Sequence, residues 1–158
     1  LIQHWLLGLV MQMEQLGPGG YGIILQLETK SYIKEFSQGF VKTTNNRMEL
    51  LAVIIGLEKL KKAPMDVVVY SDSKYVVDSV EKKWLFGWKK NNFKDKKNSD
   101  LWKRFLIVYR KHFINFQWIK GHNKHLQNER CDQLAVKAAK GENLIRDIFY
   151  EQIENQKT

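Results

Sequence analysis

Residues 65–77, MDVVVYSDSKYVV, pass from a β-branched strand into a helix through one acid, Asp72. The unbroken Val67, Val68, Val69 run has no polar side to face water, so it reads as a central strand covered on both faces of a sheet. An acid at the carboxyl end of such a strand stands where ligand sites of α/β sheets gather. The plainer role is helix N-capping, by Asp72 or by its neighbour Ser73.

Working outward, FINFQWIKGH (residues 113–122) reads as a second strand ending at Gly121. Residues 23–42 alternate apolar and polar side chains and break near Lys30, which predicts two antiparallel strands. The apolar opening run, residues 1–13, predicts the first strand, with LGPGGYG (residues 16–22) as the turn after it. Helices are expected over 47–62, 73–82, 84–90, 99–111 and 128–140. The order predicts a mixed α/β (α+β) fold, one sheet flanked by helices, in a single domain over 1–158. The tail places Leu144 or Ile145, Ile148, Phe149 and Ile153 at helical spacing, so it packs as an extra helix or frays.

The 158 residues carry a formal net charge of +9, which turns attention to a polyanionic partner. Cys131 is the single cysteine, so no internal disulfide forms and a reducing, cytoplasmic setting is expected. The opening run contains Gln3 and His4 and falls short of the roughly 20 residues that span a bilayer. No Lys or Arg precedes Lys30, so the basic front of a signal peptide is missing and no membrane association is expected. A monomer is the expected state.

Two further acids accompany Asp72. Glu49, in TTNNRMELLAVIIGLEKLKK (residues 43–62), shares a helical face with Ala52, Val53, Gly56 and Leu60, the face that presses on the sheet. Asn46 with Glu49 three residues later is also close to a capping box, which would leave the glutamate a local role. Asp132, in NERCDQLAVKAA, lies one turn into the last helix, where favouring the helix dipole is the ordinary role. Singly each acid reads as structural. Together, at one edge of a sheet, they would repel unless a divalent cation joined them, and oxygen-only ligands favour Mg²⁺ or Mn²⁺. Such a site suits phosphodiester hydrolysis.

His122 and His125 in GHNKH could move protons near neutral pH, and for His125 surface polarity is preferred. Residues 81–104 hold nine basic against three acidic side chains, interleaved with Trp84, Phe86, Trp88, Phe93 and Trp102. Trp84 and Trp88 share a helical face, and Lys89, Lys90, Lys94, Lys96 and Lys97 crowd the turn beyond. A solvated lysine face is the usual reading of such a run. Rings that stack and lysines that meet phosphates make nucleic-acid binding the better one here.

GPGGYGIIL, TTNNRMELLAVIIGLEKLK, YSDSKYVVDSV, WKKNNFK, DLWKR, WIKGHNKH and NERCDQLAVKAA, in this order, resemble the bacterial type I ribonuclease H family. The resemblance implies the ribonuclease H-like fold, a five-stranded mixed sheet with helices on both faces. It implies Mg²⁺-dependent endonucleolytic cleavage of the RNA strand of an RNA/DNA hybrid, leaving a 3′ hydroxyl and a 5′ phosphate. Glu49, Asp72 and Asp132 match three of the family's four metal-binding carboxylates, and His122 the loop histidine that assists proton transfer or product release. Thr44, Asn45 and Asn46 match the segment that contacts the hybrid, and Trp84, Trp88 and the five lysines through Lys97 the basic protrusion that grips the DNA strand.

The departures cluster before Gly17. The family's first strand ends in Thr-Asp-Gly followed by Gly-Asn-Pro, and here LLGLVMQMEQL stands instead. Counting back from Gly17 puts Leu9 at the metal-bridging aspartate and Gln15 at a hybrid-contacting Asn. Glu14, the sole acid before Gly17, lies five residues from the required place, an odd offset that reverses its face on a strand. Gly87 replaces a side chain that supports the phosphate pocket, and Lys74 a polar amide. Leucine coordinates no metal, so weakened metal binding and cleavage are expected. Three readings follow: an active ribonuclease whose first strand is altered, as an out-of-frame stretch would produce; a hybrid-binding module with impaired cleavage; and a basic scaffold or reverse-transcriptase-derived domain.

Overall fold

The computed structural model describes residues 3–12, 17–27, 32–121 and 126–157. Six strands form one sheet in the order β5-β4-β1-β2-β3-β6: β1 Gln3–Gln12, β2 Gly19–Leu27, β3 Tyr32–Phe40, β4 Asp66–Ser71, β5 Phe113–Trp118 and β6 Leu144–Ile145. The first five are the strands the sequence predicts. β6 is a two-residue addition that runs parallel to the end of β3 at the sheet edge. β1, β2 and β3 form an antiparallel meander, and β1, β4 and β5 are parallel to one another. The helices are α1 Asn45–Glu58, α2 Lys74–Glu81, α3 Trp84–Lys90, α4 Ser99–Tyr109, α5 Leu126–Lys140 and α6 Ile148–Gln156. No helix among the described residues is long and apolar enough to cross a membrane.

β2 shows how the sheet is covered on both sides. Its odd residues Tyr21, Ile23 and Leu25 join the larger core with Met48, Val53, Leu57 and Trp102 from α1 and α4. Its even residue Ile24 packs instead with Cys131 of α5. Alternation along one strand therefore feeds two separate apolar layers.

The glycines predicted as a turn have another use. Gly19 to Gly22 lie inside β2, and a Cβ built on Gly22 would come within 2.2 Å of the Cys131 carbonyl oxygen. A Cβ on Gly39 of β3 would likewise fall 2.1 Å from the Ala138 carbonyl oxygen. Glycine here lets the backbone of α5 rest directly on the sheet, meeting its small residues Cys131, Ala135 and Ala139.

Helix boundaries shift for local reasons. α1 begins at Asn45 because the Thr44 hydroxyl accepts from the Arg47 amide at 3.3 Å, so Thr44 is the cap and the Asn46–Glu49 capping box does not form. Ser73 caps α2 by accepting from the Val76 amide at 3.2 Å, the role left open between it and Asp72. The C-terminal segment packs, but not through the predicted apolar stripe. Ile148 is 58% exposed, whereas Asp147 and Tyr150 are buried.

Candidate active site

Two sequence-predicted acids meet at the carboxyl end of the parallel strands. Asp72 follows β4 directly, and Glu49 reaches from the second turn of α1 to accept a short hydrogen bond from the Ser73 hydroxyl. Ser73 thus does two things at once, capping α2 and fixing the Glu49 carboxylate. Burial pushes Glu49 up to about 7; the Ser73 hydrogen bond opposes this shift and the Asp72 charge adds to it.

That shift has a consequence for stability in metal-free buffer. Glu49 holds its proton more tightly folded, near pH 7, than at its ordinary value of 4.5. Its contribution therefore favours the fold below pH 4.5 and is lost as pH rises through 7. Glu49→Gln has no such proton to lose. The parent's urea midpoint should fall relative to the variant's as pH is raised from about 5 to about 8; parallel profiles would refute the assignment.

The surroundings of Asp72 are tightly built. The Trp118 indole N–H donates to the Asp72 carbonyl oxygen at 3.1 Å, tying the end of β5 to the end of β4. The Lys74 ammonium sits 4.9 Å from the centre of the Trp118 ring, a cation–π contact beside the acids. A Cβ on Gly121 would lie 3.0 Å from Asp72 Oδ2, so the backbone after β5 crosses the carboxylate. The next residue, His122, lies outside the described residues, as do His125, Glu14 and Gln15.

The register of β1 places position 9. Leu7 pairs with Tyr70 in β4, so Leu9 and Asp72 each stand two residues further along neighbouring strands. Leu9 pairs with Gly22 in β2, and Gly22 lies under the Cys131 carbonyl, one residue before Asp132. The backbone thus brings position 9 between the strand of Asp72 and the helix of Asp132. Asp132 itself is on the α5 side of the sheet and lines a shallow recess of about 450 Å³ with Glu129, Gln133 and Lys137. Among the described residues no three His, Cys, Asp or Glu side chains converge closely enough to hold a metal ion. Glu49 and Asp72 are coupled through charge and through Ser73, while Asp132 comes from α5, the helix that covers the face to which Tyr70 of β4 also turns.

The predicted nucleic-acid residues divide similarly. Thr44 is partly buried as the α1 cap, while Asn45 and Asn46 are exposed at the helix start. Lys89, Lys90, Lys94, Lys96 and Lys97 are all exposed. Trp84 and Trp88 differ, contrary to the expectation that they act together on one face. Trp84 is 48% exposed, but Trp88 turns inward edge-on to Trp102 at 5.8 Å, with the Lys96 ammonium 5.2 Å from its ring centre. Around Gly87 the space is open.

Sequence reading missed Ser73 as a partner of Glu49, and it missed Arg47. The Arg47 side chain is buried between Asp100 and Asp147, residues distant in sequence with no local signal linking them.

Comparison with known proteins gives consistent results. A family model described as RNase H matches residues 12–140 and begins beyond Leu9. A protein of Lachnoclostridium phytofermentans named ribonuclease H is 52% identical over 143 residues, covering 85% of this chain and 90% of that one. Its counterpart in Trichodesmium erythraeum is 49% identical over 140 residues, covering 85% and 87%. Among solved structures, LC9-RNase H1, described as a type 1 RNase H with the type 2 active-site motif, superposes with a TM-score of 0.76 at 27% identity, covering 96% of this chain and 79% of that one. LC11-RNase H1 in complex with an RNA/DNA hybrid shares the fold at a TM-score of 0.66 and 23% identity, covering 87% and 96%.

Proposed function

The chain belongs to the ribonuclease H family, whose members are endoribonucleases, and from this we propose that it hydrolyses the RNA strand of RNA/DNA hybrids. The observation that carries the reading is the half-buried Glu49 carboxylate, held by Ser73 beside Asp72 at the sheet's carboxyl edge. A hard divalent cation fits this donor set, because the ligands are all oxygen and Glu49 bears a charge that burial disfavours until it is neutralised. Glu49, Asp72 and Asp132 would hold Mg²⁺, or Mn²⁺ in its place. When bound, such ions activate water and stabilise the leaving oxygen of a phosphodiester.

The chain's own residues supply the rest. Thr44, Asn45 and Asn46 present the start of α1 to the hybrid, where backbone N–H groups suit phosphate oxygens. The protrusion lysines meet the backbone of the DNA strand, Trp84 offers an exposed ring, and Trp88 braces the protrusion from within. His122, which follows Gly121 in the sequence, would move a proton. The strands are told apart by groove shape and 2′-hydroxyls, so sequence preference is slight. A solved relative of the same fold, LC11-RNase H1, has been crystallised with such a hybrid.

The test is one labelled RNA presented as a hybrid, as an RNA duplex and as a single strand, with Mg²⁺. Internal cuts in the hybrid alone support the proposal, and equal cutting of all three contradicts it.

The register of Leu9 favours a second reading, a module that binds hybrids and cuts them poorly. It predicts salt-sensitive hybrid binding with little Mg²⁺-dependent product. Robust turnover by protein whose Leu9 is verified by mass spectrometry rules it out.

A further inference from the structure

We propose that Arg47 is a positioning residue that sets the spacing between two nucleic-acid segments, the 44–46 turn and the 84–97 protrusion, with Asp147 of the C-terminal segment as its second anchor. This inference rests on the hybrid-binding reading above.

The Arg47 guanidinium is 3% exposed and is bonded along both edges. Nε donates to Asp147 Oδ2 at 2.6 Å and Nη2 to Asp147 Oδ1 at 2.9 Å. Nη1 donates to Asp100 Oδ1 at 2.9 Å, Nη2 to Asp100 Oδ2 at 2.7 Å, and Nη1 also to Asn98 Oδ1 at 3.3 Å. Only a planar fork of five donors can join two carboxylates in this way. Burial alone would lower the Arg47 pKa, but the bonds to Asp100 and Asp147 outweigh it and keep the group charged.

Each partner belongs to a different part of the nucleic-acid surface. Arg47 itself is tied to the 44–46 turn, because its amide donates to the Thr44 cap. Asp147 also accepts from the Thr43 hydroxyl at 3.0 Å, so the C-terminal segment grips the residues just before that turn. Asn98 and Asp100 stand where the protrusion ends and α4 begins. Asn98 passes the connection on by donating to the Tyr75 hydroxyl at 3.0 Å, which also accepts from the Trp102 indole at 2.9 Å, and Trp102 packs against Trp88 of the protrusion helix.

The protrusion is held to the core by the apolar side chains Leu85, Trp88 and Phe93, contacts that carry little directional information. Neither α3 nor α4 has a side-chain cap, and the non-glycine residues Lys83 and Asn98 that precede them are both left-handed. A buried ion network is often no more stabilising than an apolar cluster of the same size. What it does provide is directional geometry. A protein that recognises a hybrid by groove shape needs its two contact segments at a constant separation.

Asp100→Asn and Arg47→Lys test this, each first checked for a folded state by circular dichroism and melting. Asparagine keeps the shape of Asp100 without its charge, and lysine keeps the charge of Arg47 but cannot span two carboxylates. Affinities for a hybrid and for a DNA duplex of equal length are compared without divalent ions, and KM and kcat are compared with Mg²⁺. The preference for hybrid over duplex should fall about tenfold, as expected of a displaced contact segment, with duplex affinity and its salt dependence retained and KM raised more than kcat is lowered. Folded variants that melt earlier but keep the parent's preference would overturn the proposal, leaving the network a purely structural one. Should Arg47→Lys fail to fold, Asp100→Asn, whose side chain is 21% exposed, decides alone. A parent without any hybrid preference would contradict the hybrid reading itself, and the inference would fall with it.

Discussion

Leu9→Asp should raise the rate of hybrid cleavage by on the order of 10³-fold, the effect of about 4 kcal/mol of added transition-state stabilisation. Leu9 lies level with Asp72 across the β1–β4 register and opposite Gly22, over which α5 carries Asp132. Resemblance to the family puts a metal-bridging aspartate at this position, and a leucine has no oxygen to offer. The substitution has a second, opposite consequence. A further carboxylate beside Glu49 and Asp72 adds like-charge repulsion to a site where burial already holds Glu49 near 7. The variant should therefore melt below the parent in metal-free buffer and recover on adding Mg²⁺. Single-turnover cleavage and melting with and without Mg²⁺ check both halves. An unchanged rate would show that position 9 is not the missing ligand.

Asp72→Asn should have the reverse effect, measured in the Leu9→Asp background where the starting rate is high. Cleavage should fall by on the order of 10³-fold, because asparagine retains the shape but not the charge needed for a divalent cation. The fold should be little disturbed, since Trp118 bonds the carbonyl of residue 72 rather than its side chain. Made in the parent, the same substitution removes the neighbouring charge, so the Glu49 pKa should move down from about 7, which its carboxyl NMR signal would report. Hybrid affinity without metal should persist, as it depends on the lysines rather than the acids. A variant that still cut hybrids in a Mg²⁺-dependent way would remove Asp72 from the mechanism.

Much of the fold was legible because periodicity records burial. The Val67–Val69 run and the alternation across β2 and β3 located their strands. The failures share one cause, which is that their reasons are tertiary. Gly19, Gly20 and Gly22 look like a turn because glycine is the usual turn residue, yet they are strand residues, and Gly20 and Gly22 admit the backbone of α5. Glu49 resembles a helix cap until α2 supplies Ser73. Trp84 and Trp88 share a face by spacing alone, and only the position of Trp102 decides that Trp88 turns inward. The C-terminal segment is held by the burial of Asp147 against Arg47, a pairing across 100 residues that no window on the sequence reveals.

The site was legible as chemistry before it was legible as geometry. Asp72 and Glu49 were found from strand-end placement and helical facing, and the structure brings them together through Ser73. Asp132 comes from α5, whose Cys131 shares an apolar layer with Tyr70 of β4, two residues before Asp72.

The most direct measurement is cleavage of an RNA/DNA hybrid labelled on both strands, by the parent and by Leu9→Asp, with Mg²⁺ and with chelator. Internal cuts should be confined to the RNA strand, dependent on Mg²⁺, slow in the parent and fast in Leu9→Asp. Cuts that persist in chelator, fall on the DNA strand, or are absent from both proteins would contradict this expectation.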